Sequence, residues 1–398
     1  PEIIEKEKVL YAEQVKNKEE REKIFSWAGR SEAAARINAM IEMARLVPNV
    51  SVESDIWDAD HYLLNFQNGT LDLNTGVLRA HRREDYITKC LDYEFDPKAP
   101  SPVWDKFLAR VQPDTLTRRY LLKAAAYCLS GSIAEQCVFI LHGDGENGKT
   151  KFLEGICAAL GEYSGVMRTE SLMIQKNNSD TAHEVAMLKG LRFIYAVEPN
   201  STSVFNSSFI KQQTGGEKVM GRHMYKDFFS FTPTHKLWIG ANHDIQIMES
   251  DHGIQRRLKQ TPFGIKITAE EKDGELEKKF IAERQGIMAR LVEAWTWYKA
   301  EGLEMPPEVV QETGEYFQRV NPLKAFRDEC CSEFPTDLEF PSALHKKYVE
   351  WSRQAGDYQP MKRNAFYSRL REQGFKITVI DGKDYFLGIS VKSTPAFQ

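Results

Sequence analysis

The sequence predicts an α/β fold, and three observations predict it. Residues 143–150 read Gly-Asp-Gly-Glu-Asn-Gly-Lys-Thr, the pattern G-x-x-x-x-G-K-[ST]. An apolar, β-rich stretch from Gln136 to Leu141 runs into it, and Lys151 to Leu160 follow with helical apolar spacing. Two more short apolar runs, 191–198 and 235–242, have the length and composition of buried strands. Strand, glycine loop and helix is the context that gives the pattern a mechanism. Backbone N–H groups can close around phosphates there, and the helix N-terminus adds partial positive charge. Gly143, Gly145, Glu146, Asn147, Gly148, Lys149 and Thr150 are therefore the expected cradle for a nucleoside triphosphate, with ATP and Mg²⁺ as the ligands. Lys149 would reach the β- and γ-phosphates, and the Thr150 hydroxyl would hold Mg²⁺.

Composition narrows the class. A length of 398 residues suggests two or three domains. With 42% hydrophobic and 28% charged residues, the chain reads as an ordinary globular protein. No run approaches the roughly 18 apolar residues that span a bilayer, so no membrane partner is expected. The charged start, Pro1 to Lys8, does not read as a secretory signal. Because the first residue is Pro1 and not Met, a fragment or processed chain is expected, with upstream domains missing. The six cysteines form no C-x-x-C pair, and the adjacent Cys330 and Cys331 are poorly placed to chelate one metal. A reducing compartment, the cytoplasm, and no zinc are expected. Net charge is −4, so any nucleic-acid binding must come from local basic patches.

Three regions follow along the chain. Residues 1–102 read as helices, best at Arg30 to Ile41, followed by short strands over 63–78. Asn68-Gly69 is the strongest turn signal among them. Residues 103–305 read as a helical lead-in to about Ser130, then the α/β core, then helices from Ala269 to about Gly302. Residues 320–398 alternate helices with a final strand pair around Asp381-Gly382. Helices followed by a β-hairpin suggest a winged helix, and Lys362 and Arg363 with Arg369 and Arg371 supply cations for DNA phosphates. A protein-contact module is the equal alternative.

Further chemistry lies between and after the strands. The run 191–198 ends in Glu198, roughly fifty residues after the loop. Phosphate-loop ATPases place an acid there to orient Mg²⁺ or the attacking water; the bland alternative is a strand-capping Glu. Many related ATPases carry two acids at this point, but Val197 precedes Glu198, which leaves a second carboxylate ligand in doubt. Asn242 closes the run 235–242 and could bond the γ-phosphate or the lytic water, or be part of a turn. Arg256 and Arg257 follow; such a pair can reach across a subunit boundary to a neighbour's γ-phosphate, or be a solvated or DNA-facing pair. Between the strands, Lys211, Lys218, Arg222 and Lys226 alternate with His223, Tyr225 and Phe228. Basic residues interleaved with aromatics suit a single strand of nucleic acid, although a charge run is commonly only a solvated face.

These motifs, in this order and spacing, resemble the superfamily 3 helicases, in the phage and plasmid primase-helicase branch that includes the poxvirus primase-helicase. The resemblance covers about residue 60 to the end. Residues Asn65 to Leu73 with Thr75-Gly76 look like that branch's N-terminal collar region. Gly143 to Thr150 is similar to its Walker A form, and Arg192 to Glu198 to its Walker B strand. Lys211, Thr214-Gly215-Gly216 and Arg222 with Tyr225-Lys226 look like its DNA-contacting hairpin segment, and Trp238 to Asn242 like its sensor motif. Arg256-Arg257 is similar to the paired arginines near its finger. The resemblance implies an AAA+-like core in a hexameric ring that moves on single-stranded or forked DNA, usually 3′ to 5′. It also implies ATP held between subunits, and in many members an upstream primase or polymerase domain. An ATP-switched initiator or loader without unwinding is the alternative. A small-molecule kinase fits the loop alone and leaves the arginine pair, the basic segment and the C-terminal region unexplained.

Overall fold

The computed structural model describes residues 15, 17–31, 33–47, 54–174, 181–197, 204–224, 226–247, 252–320, 322–354 and 360–392. Its contacts divide the chain into two units, Pro1–Ala59 with Tyr86–Thr88, and Asp60–Asp85 with Lys89–Gln398. The first unit holds helices Lys18–Ser31 and Ala34–Ala44. Met40, Met43 and Leu46 there are exposed. Its other fixed point is an edge-to-face pair, Trp57 and Tyr86, with ring centroids 5.7 Å apart.

The second unit opens with an antiparallel meander, β1 (Leu63–Phe66), β2 (Gly69–Asp72) and β3 (Val77–Arg79). The turn signal in it is offset by one residue. Phe66 pairs with Gly69, so Gln67 and Asn68 form the loop and Gly69 already belongs to β2. Glycine is needed there for another reason: a Cβ on Gly69 would lie 2.4 Å from the Arg79 carbonyl oxygen of the neighbouring strand.

Helices Pro102–Val111 and Thr115–Tyr127 lead to the core. Its strands are β4 (Val138–His142), β5 (Ser164–Val166) and β6 (Phe193–Val197). A short β7 (Val204–Phe205) and a hairpin, β8 (Val219–Arg222) with β9 (Phe228–Phe231), follow. Then come β10 (Lys236–Ala241), a short β11 (Gln246–Ile247) parallel to β7, and β12 (Leu258–Pro262). The main sheet runs β12-β4-β10-β6-β5 with every pairing parallel. A parallel sheet is covered on both faces, which explains the near-continuous apolar runs. Alternation sorts the side chains. Phe139, Trp238 and Phe193 join one core with Phe152 and Trp104, while Val138, Ile140, Leu237, Ile239 and Ile194 join the other. Phe139 and Trp238 stack with centroids 4.4 Å apart.

Two buried cations tie the helical lead-in to the starts of the strands. Lys236 donates to the Ser130 and Thr234 carbonyls and stands 4.7 Å from the Tyr127 ring. Arg192 donates to the Leu129 carbonyl and, at 2.7 Å, to that of Leu63. Both cations meet the carbonyl-rich end of helix Thr115–Tyr127, where positive charge is favoured.

Helices Leu276–Ala282, Arg284–Glu301 and Pro307–Val320 complete the core. Beyond Pro322–Cys330 lies a separate apolar cluster built on Phe326, Leu344, Tyr348 and Phe366. Its strands are β13 (Cys331–Ser332), β14 (Leu338–Glu339), β15 (Lys376–Ile380), β16 (Lys383–Leu387) and β17 (Ser390–Val391). Order β14-β16-β15 makes a small antiparallel sheet beside helices Pro341–Gln354 and Arg363–Glu372. Asp381 and Gly382, at φ 49° and 73°, form its tight turn where the sequence places it. No described helix is long and apolar enough to cross a membrane.

His235 gives this fold a pH signature. It is buried, neither ring nitrogen has a partner, and burial first, then the Lys236 charge, push it down to about 3. As pH falls from 6.5 to about 3, the unfolded chain gains a proton that the folded chain does not, so stability falls. In His235→Leu the pH slope of unfolding free energy over that window should drop by about 1.4 kcal/mol per pH unit. Urea titrations along a pH series read it; an unchanged slope would mean that His235 is protonated in the fold.

Candidate functional site: the phosphate loop and its surroundings

The loop leaves the C-terminal end of β4, which lies between β12 and β10. This is where open α/β sheets hold ligands. Gly145, Glu146 and Gly148 all take positive φ, at 93°, 49° and 85°. Glycine adopts such angles at little cost, but Glu146 does not. Its conformation is held by an Ile267 N–H donating to its carbonyl at 2.8 Å and by Lys272, 2.5 Å from its carboxylate. Gly148 is constrained twice, since a Cβ there would also lie 2.6 Å from Val111 Cγ1. The chain then enters helix Lys149–Leu160, whose first N–H groups face the loop.

Lys149 is buried and folded back over the loop. Its Nζ donates to the Gly143 carbonyl and to Asn147 Oδ1, both at 2.7 Å. Asn147 in turn donates from Nδ2 to the Phe263 carbonyl at 2.8 Å, which fastens the loop to the chain beyond β12. Asn242 follows directly on β10 and, with Gly240, faces Lys149 and Thr150 across a cleft of about 210 Å³. The phosphate loop, Lys149, Thr150 and Asn242 are therefore one site. Glu198 lies outside the described residues; Val197, just before it, ends β6 and accepts a hydrogen bond from Thr169 Oγ1 at 2.7 Å.

Arg256 and Arg257 lie at the other end of β12, before its first residue, and differ sharply. Arg257 is buried: it donates from Nε to Thr214 Oγ1 at 3.0 Å and from a terminal nitrogen to the Gly253 carbonyl at 2.6 Å. Arg256 is exposed and donates to Gln136 Oε1 at 2.9 Å. The basic segment forms the β8–β9 hairpin, with exposed Arg222 and Lys226 at its tip and Arg222 set 4.9 Å from the Phe228 ring. Lys211 sits half-buried on the preceding helix, Ser207–Thr214. Tyr225 lies outside the described residues. Lys362 and Arg363 are exposed at the start of helix Arg363–Glu372, in the C-terminal cluster and away from the loop in sequence.

One part of the site had no signal in the sequence. A larger cavity of about 980 Å³ adjoins the loop at Glu146 and Gly148. Phe107 and Val103 line it from helix Pro102–Val111, and Ile267 and Leu276 from the chain after β12, with Arg110 paired to Glu271 at 2.7 Å. These residues meet only through tertiary packing, so no local spacing marks them.

The loop, the parallel sheet and the cleft define a phosphate-loop α/β protein. Residues 2–113 match the family model described as D5 N terminal like, and residues 141–257 match a family of unknown function, DUF5906. The helicase candidate L207/L206 of Acanthamoeba polyphaga mimivirus is 30% identical over 68% of this chain and 30% of its own length. The primase candidate C962R of African swine fever virus is 25% identical over 51% of this chain and 22% of its own. The chain thus spans less than a third of the length of these relatives. Among solved structures, the apo C-terminal region of NrS-1 aligns over 75% of this chain and 77% of its own, at 12% identity and a TM-score of 0.46. The chain belongs to the primase-helicase-like proteins of large DNA viruses.

Asn147 is the joint of the site. Asn147→Ala leaves the buried Phe263 carbonyl unpaired and Lys149 short of a partner, so unfolding free energy should fall by about 1–3 kcal/mol. Denaturant titration measures it, and no loss would mean that the bridge to Phe263 carries no load.

Proposed function

We propose that the chain is the ATP-driven motor of a DNA helicase, an AAA+-like ring ATPase that moves on single-stranded DNA. The observation that carries this reading is the convergence of Lys149, Thr150 and Asn242 on one cleft at the ends of β4 and β10. In it, ATP phosphates replace the Gly143 carbonyl and Asn147 as partners of the Lys149 ammonium, and the loop N–H groups and helix N-terminus take the remaining charge. Asn242 faces the γ-phosphate and can orient a water for in-line attack. The base and ribose fit the larger cavity beside Phe107. The donor set suits Mg²⁺, a hard ion that keeps several waters and leans on phosphate oxygens; Thr150 would hold it, with Glu198 as the sequence's second candidate. There it would neutralise charge on the transferred phosphoryl group.

The arginine pair divides into two roles under this reading. Arg257 is spent inside its own chain, joining the helix before the hairpin to the segment before β12. Exposed Arg256 is the one that can reach a neighbour's nucleotide in a hexamer. The hairpin tip, with Lys226 and Arg222 beside Phe228, suits a single-stranded backbone and its bases. The small C-terminal sheet and helices fit a winged helix, with Lys362 and Arg363 free to meet duplex phosphates. The β1–β3 region and the helices before it fit a collar. Residues outside this chain in a longer protein would supply any primase or polymerase activity.

The decisive experiment is the ATPase rate with and without single-stranded DNA at a stated salt concentration. Stimulation by DNA and its loss in Lys149→Ala are expected; hydrolysis indifferent to DNA would move the reading to an ATP-switched initiator or loader. Lys226→Ala should spare basal ATPase, weaken single-strand binding and reduce the salt slope by about one, and unchanged affinity would remove the hairpin from the DNA path. Arg256→Ala alone should be inactive and regain hydrolysis when mixed with Lys149→Ala, because its own loop then receives a finger from the other variant. Failure of mixing would argue against a role in trans.

A further inference from the structure

A polar cluster outside the cleft joins the end of β4, the turn after β10 and the middle of β12 to one helix. Helix Pro307–Val320 buries Val309, Thr313, Tyr316 and Val320, a stripe at helical spacing, against the β12 side of the sheet. Thr313 Oγ1 accepts from the Gln260 N–H at 2.9 Å and donates to the Gln260 carbonyl at 3.3 Å, so it closes the open edge of β12. Tyr316 donates to the Ile245 carbonyl at 2.8 Å. Arg319 grips Asp244 at 2.5 and 3.2 Å and Glu312 at 2.8 Å. His142 stands between these two carboxylates, 3.6 Å from Asp244 and 3.4 Å from Glu312, and Gln260 donates to Glu312 at 3.0 Å.

The positions of these residues give the cluster its meaning. His142 directly precedes Gly143, the first residue of the phosphate loop, and Asp244 lies two residues beyond Asn242. The cluster therefore holds the roots of both sides of the cleft. The helix that carries Glu312 and Arg319 ends at Val320, and helix Pro322–Cys330 of the C-terminal cluster begins two residues later. A shift of the Asn242 turn toward or away from a γ-phosphate would pull on Arg319 through Asp244, and helix Pro307–Val320, which carries Arg319, is itself in contact with helix Pro322–Cys330. The forked geometry of Arg319, bonded to two carboxylates on different elements, resists sliding in a way that a point charge would not.

We propose that Arg319 and Asp244 are positioning residues that set the Asn242 turn for hydrolysis and transmit nucleotide state at the cleft to the C-terminal domain. This rests on the ATPase reading above. The test is hydrogen exchange of Pro322–Cys330 with and without the non-hydrolysable analogue AMP-PNP and Mg²⁺, alongside melting temperature and steady-state ATPase. In the unaltered protein the analogue should raise the melting temperature and slow exchange in Pro322–Cys330. In Arg319→Ala the melting shift should persist while the exchange response disappears, with kcat lowered about tenfold and KM within about twofold. Arg319→Lys should restore part of kcat and little of the response, since it keeps charge but loses the fork. Should Arg319→Ala fail to fold, Asp244→Asn removes the charge and one of the two acceptors of Arg319 at near-constant shape and carries the test. An exchange response retained in the variants, or absent in an unaltered protein that binds the analogue, overturns the proposal. Absence of any melting shift in the unaltered protein instead overturns the ATPase reading itself.

Discussion

The stacked pair Phe139–Trp238 is the contact on which the site depends. It joins β4 to β10 at mid-strand, and these two strands carry the phosphate loop and Asn242 at their ends. Phe152 of the phosphate-loop helix lies 5.9 Å from Trp238 and 5.7 Å from Trp104, so the same aromatic layer fixes the helix whose N-terminus faces the loop. A ring this size buries 150–250 Å², more than an aliphatic side chain can. Register between β4 and β10 is thus set by bulky packing, and the cleft inherits its width from that register.

The elements legible in the sequence were those whose signal is local. The phosphate loop, its strand and its helix share one short window, and all of them stand where the pattern places them. Strands β6 and β10 were legible because a two-faced parallel sheet demands uninterrupted apolar residues. The Asp381-Gly382 turn was legible because type I′ geometry admits few residues. Asn68-Gly69 marked the turn one residue late, for an instructive reason. Glycine serves turns and close backbone approaches alike, and only the partner strand, Arg79, distinguishes them.

What stayed hidden depends on partners distant in sequence. Lys236 and Arg192 sit at the starts of apolar runs and look like surface flanks, yet both are buried against the end of a helix more than sixty residues away. Two adjacent arginines look equivalent in the sequence, and folding separates them into one buried and one exposed. The cavity beside Phe107 is assembled from helix Pro102–Val111 and the chain after β12, so no window of the sequence contains it. A charged residue in the sequence carries no label for burial; the label is written by which carbonyls the fold leaves without donors.

The two edges of the main sheet are unlike. Thr313 occupies both backbone groups of Gln260 on β12, while the opposite edge, β5, is three residues long. Strand-by-strand annealing between copies has almost nothing to grip at either margin. A copy meeting this sheet at either margin would have to be joined through side chains and loops, joints that can tilt by degrees without breaking a ladder. Such a seam can tilt and reseal, whereas a continuous intermolecular sheet would lock its members rigidly together.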